Sequence, residues 1–208
     1  MPSAVGLFVL SRPVVGVVYE RGQFTAVDTE QTALALSFYC LGLVGYAATK
    51  VLAPAFYALD NVRIPMLVSL LSIALNFTLN KVLIDHLGLG HWALALSTSV
   101  VASLNFVFLF GFMRSMVHGI RGRRLLRAGI KIGAASGAMG ACCWACSQIV
   151  ESGIGAGTFG GRLAALAVAV PLGIGVLYGL CSLLRVPELD LAKQAIMARV
   201  ARRFRPRS

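Results

Sequence analysis

Charge is what this sequence has least of. Only 13% of its 208 residues are Asp, Glu, Lys or Arg, about half the quarter usual in soluble domains. Acids are scarcest, 8 against 19 basic residues, which leaves a net charge of +11. No charge interrupts positions 31–49, 64–80, 86–113, 132–150 or 163–184. Each of these stretches approaches or exceeds the ~20 residues that cross a hydrocarbon core ~30 Å thick. A soluble domain has nowhere to bury so much uncharged chain. With 58% apolar residues and a mean hydropathy of +0.80, the sequence specifies an all-α integral membrane protein.

Other absences narrow the function. Cys40, Cys142, Cys143, Cys146 and Cys181 all fall in apolar stretches, which argues against an extracellular disulfide framework. Met1, Pro2 and Ser3 do not provide the positive start of a signal peptide. No Ser-His-Asp, H-E-x-x-H or P-loop pattern occurs, and His86, His91 and His118 lie at span ends or in connections. We therefore expect a protein that is not an enzyme and carries no organic cofactor. Gly155, Gly157 and Gly160 match G-x-G-x-x-G, but they follow a membrane span where the dinucleotide fingerprint needs a strand. The basic excess sits beside membrane spans without interleaved aromatics, so no nucleic-acid partner is expected.

Six membrane helices are predicted, over 4–19, 31–59, 65–84, 92–113, 132–150 and 163–184. The first is the weakest, with Arg12 and Pro13 near its middle. The connections test this count. Glu20, Arg21, Asp28 and Glu30 make the first connection acidic, and the third and fifth, holding Lys81 with Asp85 and Glu151 with Arg162, are neutral. The second holds Asp60 and Arg63, with Lys50 just inside the span. The fourth, 114–131, carries Arg114, Arg121, Arg123, Arg124, Arg127 and Lys131 with no acid. Lys and Arg mark the cytoplasmic side, so this alternation predicts that both termini are cytoplasmic.

The segment 187–208 is expected to form a basic amphipathic helix on the anionic inner leaflet. Leu189, Ala192, Ile196, Val200 and Phe204 recur at helical spacing among Arg199, Arg202, Arg203 and Arg205. The last two spans are expected to pack as a pair over 132–186. Gly133, Gly137 and Ala141 form one small-residue ladder, and Gly175 with Gly179 another.

Two constellations stand out in the spans. Lys50 lies more than two turns inside the second span, where an ionisable group either faces a cavity or a partner, or snorkels to the interface. Arg12 is a second candidate for a polar cavity. Asn76 and Asn80, four residues apart, share a helix face, and the next span offers Ser97, Thr98, Ser99, Ser103 and Asn105. Amide and hydroxyl oxygens in that arrangement suit either a hard cation such as Na⁺ or interhelical hydrogen bonds. No acid lies at mid-depth to complete a cation site.

Positions 2–113 resemble the MurJ (MviN) lipid II flippases of bacteria. The resemblance is carried by PSAVGLFVLSRP at 2–13, YERGQFTAVD at 19–28, KVLAPAFYAL at 50–59, RIP at 63–65 and LALSTS at 94–99. It implies part of a MOP-superfamily, MATE-like transporter. In that fold about fourteen helices form two six-helix lobes around a cavity, with two helices added. This chain would supply the last six helices, with 1–113 as four helices of the second lobe and 132–186 as the added pair. The resemblance implies transport of the undecaprenyl-pyrophosphate-linked peptidoglycan precursor, lipid II, from inner to outer leaflet by alternating access in the bacterial inner membrane. It also implies a sodium site from Asn76, Asn80, the Leu94 carbonyl and Thr98, completed by an acid from a helix outside this chain. Asn80 stands where an Asp would make a stronger site. Partners implied are lipid II, anionic lipids and the N-terminal half of the transporter, without which the chain is expected to be inactive. A flippase for another polyprenyl-linked saccharide and a non-transporting scaffold are the competing readings.

Overall fold

The computed structural model describes residues 1–20, 23–86, 88, 90, 92–117, 122–154 and 159–183. Its helices are α1 (Pro2–Val9), α2 (Ser11–Tyr19), α3 (Ala26–Ala58), α4 (Arg63–Lys81), α5 (Trp92–Met116), α6 (Gly122–Ile154) and α7 (Phe159–Leu183), with a π-helical turn, Val82–His86, continuing α4. No strand occurs among the described residues. The predicted tail helix, with Arg199, Arg202, Arg203 and Arg205, lies outside them, as does Arg121.

The predicted first span is two helices meeting at 69°. Pro13 explains the break. Its ring lacks an N–H and would clash with the carbonyl four residues back, which belongs to Val9, the last residue of α1. α3 begins five residues earlier than predicted because Thr25 caps it. The Thr25 hydroxyl accepts from the Asp28 N–H at 3.4 Å, and the Asp28 carboxylate accepts from the Thr25 N–H at 2.9 Å. This reciprocal pair satisfies donors that the first helical turn leaves open. Two residues past the end of α3, Asp60 has a φ of 54°, a left-handed conformation that Asp tolerates better than most residues.

By length and composition, α3, α4 with its π turn, α5 and α7 are each apolar enough to cross a membrane. α1 with α2 meets the same measure when the bent pair is taken together, as a broken span or a re-entrant loop. α6 has 33 residues, ample length, but small Gly, Ala and Ser residues dilute its hydropathy. It also starts at Gly122, so most of the predicted basic connection 114–131 is helical.

The longest interface joins α3 and α5. A Cβ placed on Gly42 would lie 2.6 Å from Ser99 Cα, and one on Gly45 would lie 2.9 Å from the Ala102 carbonyl oxygen. The register advances together on both helices, so α3 and α5 run parallel, as the span count requires. Phe56, Val68, Leu109 and Met113 close one end of this seam. Around α1 and α2, Leu10 packs with Met139, Cys143 and Ala169. α4 stays mostly bare, with Ile73 69% and Phe77 70% exposed, as suits a helix whose neighbours include lipid.

The close approaches fall on glycines other than those of the predicted ladders. Gly133, Gly137, Gly175 and Gly179 have open space where a Cβ would stand, whereas Gly140 meets Val5 and Gly173 meets Cys143. α6 and α7 do pack as a pair, but through a different face.

Between the glycine contacts and the Phe56 cluster, the side-chain oxygens of Thr49 and Asn105 are buried without a hydrogen-bond partner among the described residues. An unmet buried hydroxyl costs about 1–3 kcal/mol. Thr49→Val is therefore expected to raise stability by about 1 kcal/mol, read as a higher thermal unfolding midpoint in detergent. A fall in the midpoint would show that the hydroxyl is engaged.

Candidate functional site

Four of the residues singled out in the sequence meet where α4 ends and α5 begins. Asn80 donates from Nδ2 to Asn76 Oδ1 at 3.0 Å, one turn back on the same face. The Asn80 side-chain oxygen, Oδ1, accepts from the Ser97 hydroxyl across the two helices. Ser97 also lies within 3.0 Å of the Leu94 carbonyl, and the Thr98 hydroxyl donates to that carbonyl at 2.7 Å. Asn76, Asn80, Leu94 and Thr98 thus belong to one hydrogen-bonded network whose link is Ser97. That serine is fully buried. It was legible in the sequence only as one hydroxyl among several.

Chemically this is a set of neutral oxygens: two amides, one main-chain carbonyl and a hydroxyl. Such donors suit a hard monovalent cation, and they equally satisfy one another by hydrogen bonds, as seen here. A carboxylate would be needed to give the set charge. The π-helical turn starts at Val82, two residues after Asn80. Turns of this kind widen a helix locally and recur at functional sites.

The two candidate cavity charges do not come together. Arg12 pairs with Glu30 at the start of α3, with both side chains largely exposed. Lys50 is twenty residues further along α3, about 30 Å at the helical rise. Its ammonium lies over the Tyr46 ring, 4.6 Å from the centroid. Tyr46 is one turn toward the middle of α3, so the lysine folds back along the helix and does not extend to the nearer end. Tyr39, Tyr46, Lys50 and Tyr57 share this exposed face. Among the basic residues, Arg127 is exposed on α6 and Arg123 and Arg124 lie in its first turn.

One charged group escaped the sequence reading because its members are 142 residues apart. Glu20, at the end of α2, accepts through Oε2 from Arg162 of α7 and, at 2.8 Å, from the Thr29 hydroxyl of α3. The Arg162 hydrogen bond, then that of Thr29, holds the Glu20 carboxyl below its ordinary value of 4.5. A depressed carboxyl pKa contributes stability above the unfolded value and loses it as pH falls through the folded one. The chain's thermal stability should therefore owe no pH dependence to Glu20 between about pH 8 and pH 6. Below 4.5 it should fall, and Glu20→Gln should remove that part of the fall. An acid limb identical in both proteins would exclude this account.

A sequence profile of the family described as "MurJ: Lipid II flippase MurJ" matches residues 1–158. The probable lipid II flippase MurJ of Bdellovibrio bacteriovorus is 30% identical over 194 residues, 93% of this chain and 36% of that protein. The probable lipid II flippase MurJ of Rickettsia prowazekii is 35% identical over 150 residues, 72% of this chain and 28% of that protein. Among solved structures, lipid II flippase MurJ in an inward closed conformation superposes with a TM-score of 0.68 at 23% identity, over 91% of this chain and 36% of that one. The chain thus spans roughly a third of the length of the curated relatives it matches.

Proposed function

We propose, for a chain that belongs to the MurJ lipid II flippase family, that it forms the C-terminal part of a transporter moving lipid II from the inner to the outer leaflet of the bacterial inner membrane. The observation that carries this reading is the family match over residues 1–158 in a bundle of long apolar helices. Both termini of the chain face the cytoplasm in this reading, since basic connections attract the cytoplasmic side.

The physics of the cargo explains why part of the transporter is insufficient. A pyrophosphate cannot enter hydrocarbon unassisted, so it needs a polar cavity walled by protein and open sideways for the lipid tail. Alternating access then requires two bundles that rock against each other. The helices here supply one wall. The exposed Lys50–Tyr46 pair offers a cation toward that cavity, and Arg12, held by Glu30, lies at its far end. Asn76, Asn80, the Leu94 carbonyl and Thr98 supply the neutral oxygens of a sodium site, to which a carboxylate from another helix adds the charge. Bound there, the ion would bias the lobe toward one of its states. The basic residues at the cytoplasmic end, Arg123, Arg124 and Arg127 among them, attract anionic lipid headgroups.

Cells depleted of their own lipid II flippase provide the test. We expect survival and outer-leaflet lipid II only when the chain is joined to the N-terminal part of a relative, and no rescue by the 208 residues alone. Rescue by this chain alone would refute the two-lobe requirement. Failure of both forms despite membrane insertion would favour a scaffold role, and export of a different polyprenyl-linked saccharide would change the cargo.

A further inference from the structure

We propose that Glu20 and Arg162 form a latch that seats the α6–α7 hairpin on the bent α1–α2 segment, so that hairpin and bundle move as one body. The hairpin's main contacts with the rest of the chain are α1 against α6 and α2 against α7. Most of them are apolar: Leu10 against Met139 and Cys143, and Val5 against Gly140. In lipid such contacts gain only packing, because hydrocarbon solvates the separated helices equally well. A partly buried ion pair is different, since separating it leaves each charge without the partner that compensates its lost hydration. Glu20 and Arg162 are 24% and 14% exposed, against 62% and 69% for Glu30 and Arg12.

Three features mark this pair as built for docking. Arg162 is in the first turn of α7 and Glu20 at the C-terminal end of α2, so each charge opposes the dipole of its own helix. Their pairing relieves both. Gly16, one turn before Glu20, leaves the space the arginine fills: a Cβ there would lie 2.5 Å from Nη1 and 2.9 Å from Cδ of Arg162. Thr29, only 2% exposed, adds its hydroxyl to the same carboxylate oxygen and extends the latch to α3. The connections that hold Glu20 and Arg162 are the acidic and neutral ones, so both residues belong to the same side of the membrane. The latch would hold whatever cargo the transporter carries.

The test uses the full chain in lipid nanodiscs. Spin labels are carried on ketone-bearing unnatural residues at Tyr46 of α3 and Ile174 of α7, both exposed, so that the native cysteines remain. We expect a narrow distance distribution in the parent and one about twofold broader in Glu20→Gln and Arg162→Gln, as for a released rigid-body contact. The double variant should be no broader than either single one, and Arg12→Gln should match the parent. Distributions unchanged by both neutralisations would overturn the latch, as would additive broadening. Gly16→Ala, which keeps every charge and displaces the guanidinium, decides the matter if the neutralised variants lose helix content. It should broaden the distribution alone and add nothing to Arg162→Gln, and a parent-like distribution would overturn the proposal.

Discussion

Gly42→Ala is expected to destabilise the chain by about 3 kcal/mol, at the upper end of what overpacking one site costs. The new methyl would meet Ser99 at Cα, Oγ and Cβ within 2.6–2.8 Å. A side chain can rotate away from such a contact, but Cα cannot, so α5 must shift as a body. The shift would also strain the 2.5 Å hydrogen bond from the Ser99 hydroxyl to the Phe38 carbonyl, which ties the same turn of α5 to α3. Ser97 and Thr98 precede Ser99 directly, so the Asn80 network would be displaced with it. Gly111→Ala is the matched control. Nothing lies within 4 Å of a Cβ at that position, and losing a helical glycine should gain about 0.5–1 kcal/mol. Thermal midpoints in detergent should move in opposite directions. Equal shifts would mean that α3 and α5 are not in contact at Gly42.

The second large effect is expected from Asn80→Asp, read as a response to sodium. In the parent the four oxygens are neutral, and binding Na⁺ must compete with hydrogen bonds that already satisfy them. A carboxylate at position 80 reverses this balance. Without a cation it is partly buried, which disfavours the charged form and should lower the midpoint in choline chloride. With sodium in excess, binding to the folded state restores stability by mass action, about 2.7 kcal/mol at one hundred times Kd. The variant's midpoint should therefore climb steeply with NaCl while the parent's barely moves. Adding Asn76→Leu should abolish the gain. Identical responses to sodium and choline in the variant would remove the cation reading and leave the network as an interhelical hydrogen-bond cluster.

The sequence-based prediction was strongest where a property belongs to one segment alone. Crossing a membrane depends on length and hydropathy, so the spans at α3, α4, α5 and α7 fall close to their predicted places. α6 shows the limit of that signal: small residues that suit close packing also weaken its hydropathy. Even the break in the first span was present in the sequence as Pro13, although its 69° angle was not. The spacing of Asn76 and Asn80 announced a shared face. It did not reveal that Ser97 would be the residue to bridge them.

What the sequence by itself determined is a basic, charge-poor chain of membrane-spanning helices, its family, and the residue types available to a site. Each follows from local chemistry that lipid enforces on every segment separately. The tertiary structure decided which glycines serve as contacts, which hydroxyl joins α4 to α5, that Lys50 folds back onto Tyr46, and that Glu20 finds Arg162. Inside a membrane, apolar surface is at home against lipid or protein alike, so hydropathy does not say which face of a helix meets which neighbour. That choice is made by shape and by the few polar groups that must find partners.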